Sequence, residues 1–188
     1  MENPLAIRVL LVSRDDQIIK SLSQLMEQSE IHVEVMATAD SAIRELCRNK
    51  YEAVVVDCQD QQNSLAFLRK QRATTSNRTA VVWGIVNSDK EMSEAFRAGA
   101  NFVVGRPLSQ SMLGRTLKAS YPLMIREKRR YHRTRMVAQV FISSPSHAEF
   151  IASSINISEG GMALEARSRC KWAKGSLCDA NCQESRLQ

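Results

Sequence analysis

Between residues 8 and 120, short continuous apolar runs of strand length alternate five times with segments whose apolar residues recur at helical spacing. That alternation leaves few folds open. Arg8-Val9-Leu10-Leu11-Val12 is the first run, and in Asp15 to Gln28 the residues Ile18, Ile19, Leu22, Leu25 and Met26 share one helical face. His32 to Met36 is the second run, and Asp40-Ser41 can cap a helix whose face holds Ala42, Ile43 and Leu46. Ala53 to Val56 is the third run, with Leu65, Phe67 and Leu68 marking the helix after it. Ala80 to Val86 is the fourth, followed by a helix from Glu91 to Ala98 that Gly99 can terminate. Phe102-Val103-Val104 is the fifth strand, Pro107 ends it, and Ser109 to Ser120 reads as the last helix. Strands that are apolar on both faces need cover on both. The expectation is an α/β fold with a doubly wound, five-stranded parallel sheet, its ligand sites at the carboxyl ends of the strands.

After Pro122 the pattern changes. Met136 to Ile142 and Phe150 to Ile157 read as strands separated by a turn at Ser144 to Ser146, and Gly160-Gly161 breaks the chain before Met162-Ala163-Leu164. Residues 1–122 are therefore expected to form one domain, 123–135 a basic linker or arm, 136–166 a partial all-β segment and 167–188 a disordered tail. The formal net charge of +6 is unevenly placed: Lys+Arg against Asp+Glu is 15 to 14 over residues 1–119 but 11 to 6 over 120–188. Arg126 to Arg135 alone carry six basic residues and one acid, a concentration that suits a solvated surface or a phosphate-bearing partner. No apolar run approaches the roughly 20 residues of a membrane span, and the amino terminus lacks the pattern of a secretory signal, so a cytoplasmic location is expected. Five cysteines in such a chain do not suggest a disulfide framework. Cys170, Cys178 and Cys182 have a spacing that fits no strong zinc motif, and no metal site is expected.

Residues 6 to 120 resemble a response-regulator receiver domain, which has the flavodoxin-like arrangement of a doubly wound sheet. The resemblance rests on V-L-L-V in the first strand, Y-E-A-V-V-V-D ending at Asp57, A-F-R-A-G-A-N-F-V-V at 95–104 and R-P-L-S at 106–109. It implies that Asp57 stands where such domains accept a phosphoryl group from a histidine kinase. Phosphoryl transfer to a carboxylate needs a divalent cation to neutralise approaching anions. Receivers hold that ion with an acidic pair directly after the first strand; here Ser13 and Arg14 stand there, while Asp15 and Asp16 fall into the helix. The expected switch Ser or Thr aligns with Gly84 or Ile85, and the expected Lys with Arg106, which is no neutral exchange in a tight phosphate site. Asp57 is thus expected to be a carboxylate neutralised by Arg14 or Arg106, with the domain acting as scaffold or dimerisation unit. Phosphoacceptor, with Mg²⁺ as a conditional cofactor, is the alternative.

Residues 126 to 164 resemble the start of a PilZ domain, a β-barrel family that binds cyclic di-GMP. Arg129-Arg130-Tyr131-His132-Arg133 fits the R-x-x-x-R motif of that family, and Asn156-Ile157-Ser158-Glu159-Gly160-Gly161 fits [D/N]-x-S-x-x-G. The ligand offers two phosphates and guanine edges with adjacent N7 and O6 acceptors, both matched by guanidinium forks that can also stack on purine faces. Arg129 and Arg133 are expected to close over it from a flexible arm, with Arg130 as a further phosphate contact. Asn156, Ser158 and Gly161 would form the opposing wall, supplying an amide, a hydroxyl and room for close backbone approach. Asn in place of the Asp common at the first position is expected to lower affinity. Tyr131 and His132 read as packing or arm residues and His147 as a turn residue. A complete barrel would need strands after Leu164 that Glu165 to Gln188 do not supply, and the composition of that tail resembles a sequence read out of frame.

These features together point to a non-enzymatic bacterial signalling protein that binds cyclic di-GMP, with a homodimer or a partner protein formed through the receiver-like domain. Two alternatives belong to other classes. One is a nucleic-acid-binding regulator that uses the 126–135 cluster, but no recognition helix is visible and aromatic residues make up only 5% of the chain. The other is a phosphorylation-dependent response regulator acting through Asp57.

Overall fold

The protein is described from a computed structural model covering residues 6–144, 147–159 and 161–166. It divides into two compact units, Met1–Lys128 and Arg129–Gln188.

The first unit alternates strand and helix throughout: β1 (Ile7–Val12), α1 (Asp16–Glu27), β2 (Ile31–Met36), α2 (Ala39–Arg48), β3 (Ala53–Asp57), α3 (Gln61–Ala73), β4 (Val81–Val86), α4 (Asp89–Ala98), β5 (Phe102–Gly105) and α5 (Gln110–Tyr131), whose residues from Arg129 on are counted with the second unit. The five strands pair in parallel in the order β2-β1-β3-β4-β5. Period-two alternation sends successive side chains of each central strand to opposite faces. Val9, Leu11, Val55, Trp83 and Ile85 pack under α1 and α5 with Ile18, Leu22, Leu113 and Leu117. Leu10, Val12, Val54, Val56, Val82 and Val86 pack under α2, α3 and α4 with Ala42, Leu46, Phe67, Leu68 and Ala95. Two separate cores on one sheet explain why its central strands read as unbroken apolar runs. The edge strand β2, by contrast, buries only Ile31 fully.

Local chemistry sets the helix ends. Asp15, extended, caps α1 by accepting from the Gln17 and Ile18 amides, and Asp60 and Ser88 cap α3 and α4 through the Asn63 and Glu91 amides. The cap of α2 is Thr38, which accepts from the Ser41 amide, rather than the expected Asp40-Ser41. Gly99 closes α4 at φ 111°, a left-handed conformation that favours glycine.

The expected end of the last helix at Ser120 is corrected: α5 continues through Pro122 to Tyr131. Its buried stripe runs Leu113, Leu117, Ser120, Met124, Glu127, so the apolar face does not stop at the proline. Pro122 itself is exposed, and the carbonyl it deprives of a donor belongs to exposed Lys118, where water can serve instead. Residues 123–131, expected as a flexible linker or arm, are therefore helical.

The second unit is an antiparallel sheet of β6 (Thr134–Arg135), β7 (Gln139–Ser144), β8 (His147–Ser158) and β9 (Gly161–Ala166). The expected strand Met136 to Ile142 is divided, because Ser154 Oγ accepts from the Ala138 amide at 2.9 Å and donates to the Met136 carbonyl at 2.6 Å, pulling 136–138 out of regular pairing. Central β8 pairs with β6 and β7 along one side and with β9 along the other. Ala152 and Ser154 are buried, whereas Phe141 and Ile151, opposed across β7 and β8, are exposed. The tail at 167–188, expected to be disordered, lies outside the described residues, as do Cys170, Cys178, Cys182, Gly160 and the side chain of His147. Among the described residues no helix is long and apolar enough to cross a membrane.

Candidate functional site

The strand order reverses direction between β1 and β3, and the crevice at their carboxyl ends is where such sheets bind ligands. Three chain segments meet there. Asp57 is the last residue of β3, Ser13 follows β1, and Arg106 follows β5. Ser13 Oγ donates to Asp57 Oδ2 at 2.8 Å, and Arg106 Nη2 donates to Asp57 Oδ1 at 2.5 Å. The other guanidinium nitrogen, Nη1, donates to Asp15 Oδ2 at 2.9 Å, and the Asp15 amide donates back to Ser13 Oγ at 3.0 Å. The Asp57 side chain is 4% exposed, those of Arg106 and Asp15 21% and 24%. One guanidinium thus bridges two carboxylates, and both oxygens of the buried one already have donors.

The electrostatics agree with that geometry. The hydrogen bond from Arg106, aided by the Ile18 and Gln17 amides, holds the Asp15 carboxyl below its usual range. Burial disfavours charge on Arg106, but its bonds to Asp57 and Asp15 outweigh that and hold it protonated.

Of the two guanidinium groups expected to neutralise Asp57, only Arg106 does so. Arg14 is exposed and its Nε donates to the Ala37 carbonyl at 2.8 Å, so its expected place beside Asp57 is corrected. The reason is direction: the residue after Ser13 points away from the crevice toward the loop that follows β2. Asp16 is exposed on α1, while Asp15, its N-cap, turns back into the site. The role of Asp15 is not legible from its position beyond the first strand, because it depends on Arg106, 91 residues away. Of the two residues aligned with the expected switch Ser or Thr, Gly84 lies opposite Val56 and Ile85 opposite Asp57 in the β3–β4 register, and neither carries a hydroxyl to offer a phosphoryl group. A divalent cation does not fit these residues. The side chain that reaches both carboxylates is itself a cation, and no group of three or more metal-ligating side chains occurs among the described residues.

The second cluster lies within the second unit. Arg133 Nη1 donates to Asn156 Oδ1 at 2.8 Å, across 23 residues of sequence. Pairing of β6 with β8 produces this contact, since Arg135 opposes Asn156 and Thr134 opposes Ile157. Ser158 and Gly161 face each other across the β8–β9 hairpin, with Ser158 Oγ donating to the Gly161 carbonyl at 3.3 Å. Gly161 has φ 145°, unfavourable for other residues, and a Cβ there would meet nothing within 4 Å. The fold therefore joins Arg133 to Asn156 and places Ser158 and Gly161 at the same hairpin. Arg129 and Arg130 are exposed in the final turn of α5, with Tyr131 and His132 exposed beside them.

Neither models of known protein families nor curated protein sequences match this chain. Solved structures do. The receiver domain of the sensor histidine kinase PA1611 from Pseudomonas aeruginosa, with a magnesium ion coordinated in its active-site cleft, is 20% identical at a TM-score of 0.55, over 61% of this chain and 96% of its own. A putative response regulator from Chloroflexus aurantiacus is 17% identical at 0.57, over 63% and 98%. The chemotaxis response regulator CheY4 of Vibrio cholerae is 16% identical at 0.56, over 61% and 98%. The first unit thus has the flavodoxin-like receiver fold.

Proposed function

We propose that this chain is a non-enzymatic signalling protein in which a receiver-like domain with an internally neutralised Asp57 carries a module that binds cyclic di-GMP. The observation that supports it best is the 2.8 Å bond from Arg133 to Asn156. Two short motifs, each weak alone in an arginine-rich chain, provide the two partners of that one contact. A guanidinium beside an amide, with the Ser158 hydroxyl and the Gly161 backbone nearby, can meet both a phosphate and a guanine edge.

In this reading Arg133 exchanges its bond to Asn156 for the ligand. Its fork takes a phosphate or guanine N7 and O6, and the freed Asn156 amide accepts from and donates to the other purine. Arg129 and Arg130 add charge-assisted contacts from the end of α5. The Asp57 crevice takes no part in chemistry, because a phosphoryl group would have to displace both Arg106 and Ser13. Scaffold or dimerisation is its role.

Isothermal calorimetry of the full chain with cyclic di-GMP tests the proposal. Saturable binding in the parent that is lost in Arg133→Ala is the expected result. No heat at high micromolar ligand, from protein shown folded by circular dichroism, overturns it. A DNA titration at varied salt serves as the second arm, since a steep salt slope with DNA and no response to the dinucleotide would assign the basic cluster to a nucleic-acid backbone.

A further inference from the structure

The extension of α5 beyond Pro122 is held by charge at the amino-terminal ends of the strands, far from the Asp57 crevice. Glu127, 5% exposed, accepts from Lys50 Nζ at 2.5 Å and from Thr79 Oγ1 at 2.6 Å. Lys128 Nζ lies 3.8 Å from Oε1 of Glu52, which is 1% exposed and whose other oxygen accepts from the Arg8 amide at 2.7 Å. Met124, fully buried, and half-buried Ile125 pack into the core just before these residues.

Local propensity favours a helix from Leu123 to Arg130 but does not by itself hold one there. A proline in a helix interior costs about 3 kcal/mol, and a few turns beyond one would fray in isolation. Met124 gives an apolar contact, but apolar packing does not require an acid at 127 or burial of a second acid at Glu52. Each buried carboxylate is desolvated at a cost that only its donors offset. Glu127 has two donors from two different segments, the loops before β3 and before β4. The residues immediately following are Arg129 and Arg130.

We infer that Glu127 and Lys128 are positioning residues: they clamp the end of α5 into helix so that Arg129 and Arg130 are presented from an ordered turn instead of a free arm. The ligand side of this inference rests on the cyclic di-GMP reading; the clamp itself does not. Ordering before binding removes the entropy that a loose arm would lose on closing over a ligand. The clamp therefore strengthens binding without touching the ligand.

Hydrogen–deuterium exchange on the full chain, with calorimetry alongside, tests it. In Glu127→Ala, amides of residues 123–131 should exchange about tenfold faster or more, the scale of losing a charge-assisted hydrogen bond, while those of β1 and β3 stay protected. Affinity for cyclic di-GMP should fall about five- to tenfold, with a less favourable entropy. Should Glu127→Ala fail to fold, Thr79→Val removes one donor and should give a smaller change in the same direction. Unchanged protection at 123–131 in a folded variant overturns the clamp, and lost protection with unchanged affinity overturns its positioning role. If the parent binds no dinucleotide, the ligand reading fails separately, and the exchange data still decide the clamp.

Discussion

Arg106 and Asp57, 49 residues apart, are joined at 2.5 Å by a guanidinium whose second nitrogen holds Asp15. A side-chain cation thus occupies the centre of the carboxylate cluster at the strand ends. Because this cation is covalently part of the chain, it cannot be removed by a chelator and does not depend on ionic conditions in the way a bound metal does.

Removing Arg106 should leave Asp57, nearly fully buried, with Ser13 as its remaining side-chain donor among the described residues. Arg106→Ala is expected to cost about 1–3 kcal/mol of stability in urea unfolding, at the lower end for a broken buried pair because Arg106 is partly exposed. The Asp15 carboxyl should rise back toward the ordinary carboxylate range, visible in a pH titration by nuclear magnetic resonance. Arg106→Lys should restore part of the stability but not both bonds, since an ammonium lacks the planar fork.

Acetyl phosphate with Mg²⁺ should not label Asp57, because both of its oxygens already have donors and neither Gly84 nor Ile85 supplies a hydroxyl. Mass spectrometry of the intact chain checks this. Mg²⁺-dependent phosphate incorporation that disappears in Asp57→Asn would establish the phosphorylation-dependent alternative.

The buried Glu52 carboxyl is pushed up, chiefly by desolvation, which the Arg8 amide and Lys128 offset only in part. A carboxyl whose pKa is higher in the folded state than in the unfolded state binds more protons when folded, so its contribution to stability declines as pH rises from the unfolded value through the folded one. Glu52→Gln keeps an acceptor for the Arg8 amide without the buried charge. The melting temperature of this variant relative to the parent should therefore be more favourable at pH 7 than at pH 4. An equal offset at both values would show that Glu52 burial carries no such cost.

Asn156→Asp should strengthen cyclic di-GMP binding by about three- to tenfold if the residue faces a guanine edge, because a carboxylate accepts from both N1 and N2 through charge-assisted bonds. Asn156→Ala should weaken it, with Arg133 left to find another partner. Calorimetry on the two variants and the parent gives the order; tighter binding by Ala than by Asp would remove Asn156 from the site.

Much of the first unit is legible because its signals are local. Apolar runs such as Ala53-Val54-Val55-Val56 and the helical spacing of Ile18, Leu22 and Met26 reflect burial on two faces of a sheet. Gly99 announces its helix end through backbone conformation alone. The end of α5 is misread at Pro122 because the proline is a local signal, whereas what overrides it is distant: Met124 in the core and Glu127 on Lys50 and Thr79. Likewise Asp57 and Arg106 can be named from their places after strands, but the choice of Arg106 over Arg14 depends on which way each residue leaves its strand.

Residue order alone was enough for the alternating α/β architecture, the position of Asp57 at a strand end, the presence of Ser13 and Arg14 directly after the first strand, and the two motifs that contain Arg133 and Asn156. Folding in three dimensions was needed for one arginine to bridge Asp15 and Asp57, for the basic segment to begin on a clamped helix, and for Arg133 to reach Asn156. Periodicity encodes which face of an element is buried, a property of neighbours in the chain. Pairings between residues 23 to 91 positions apart depend on strand register and chain direction, which are settled when the whole sheet assembles.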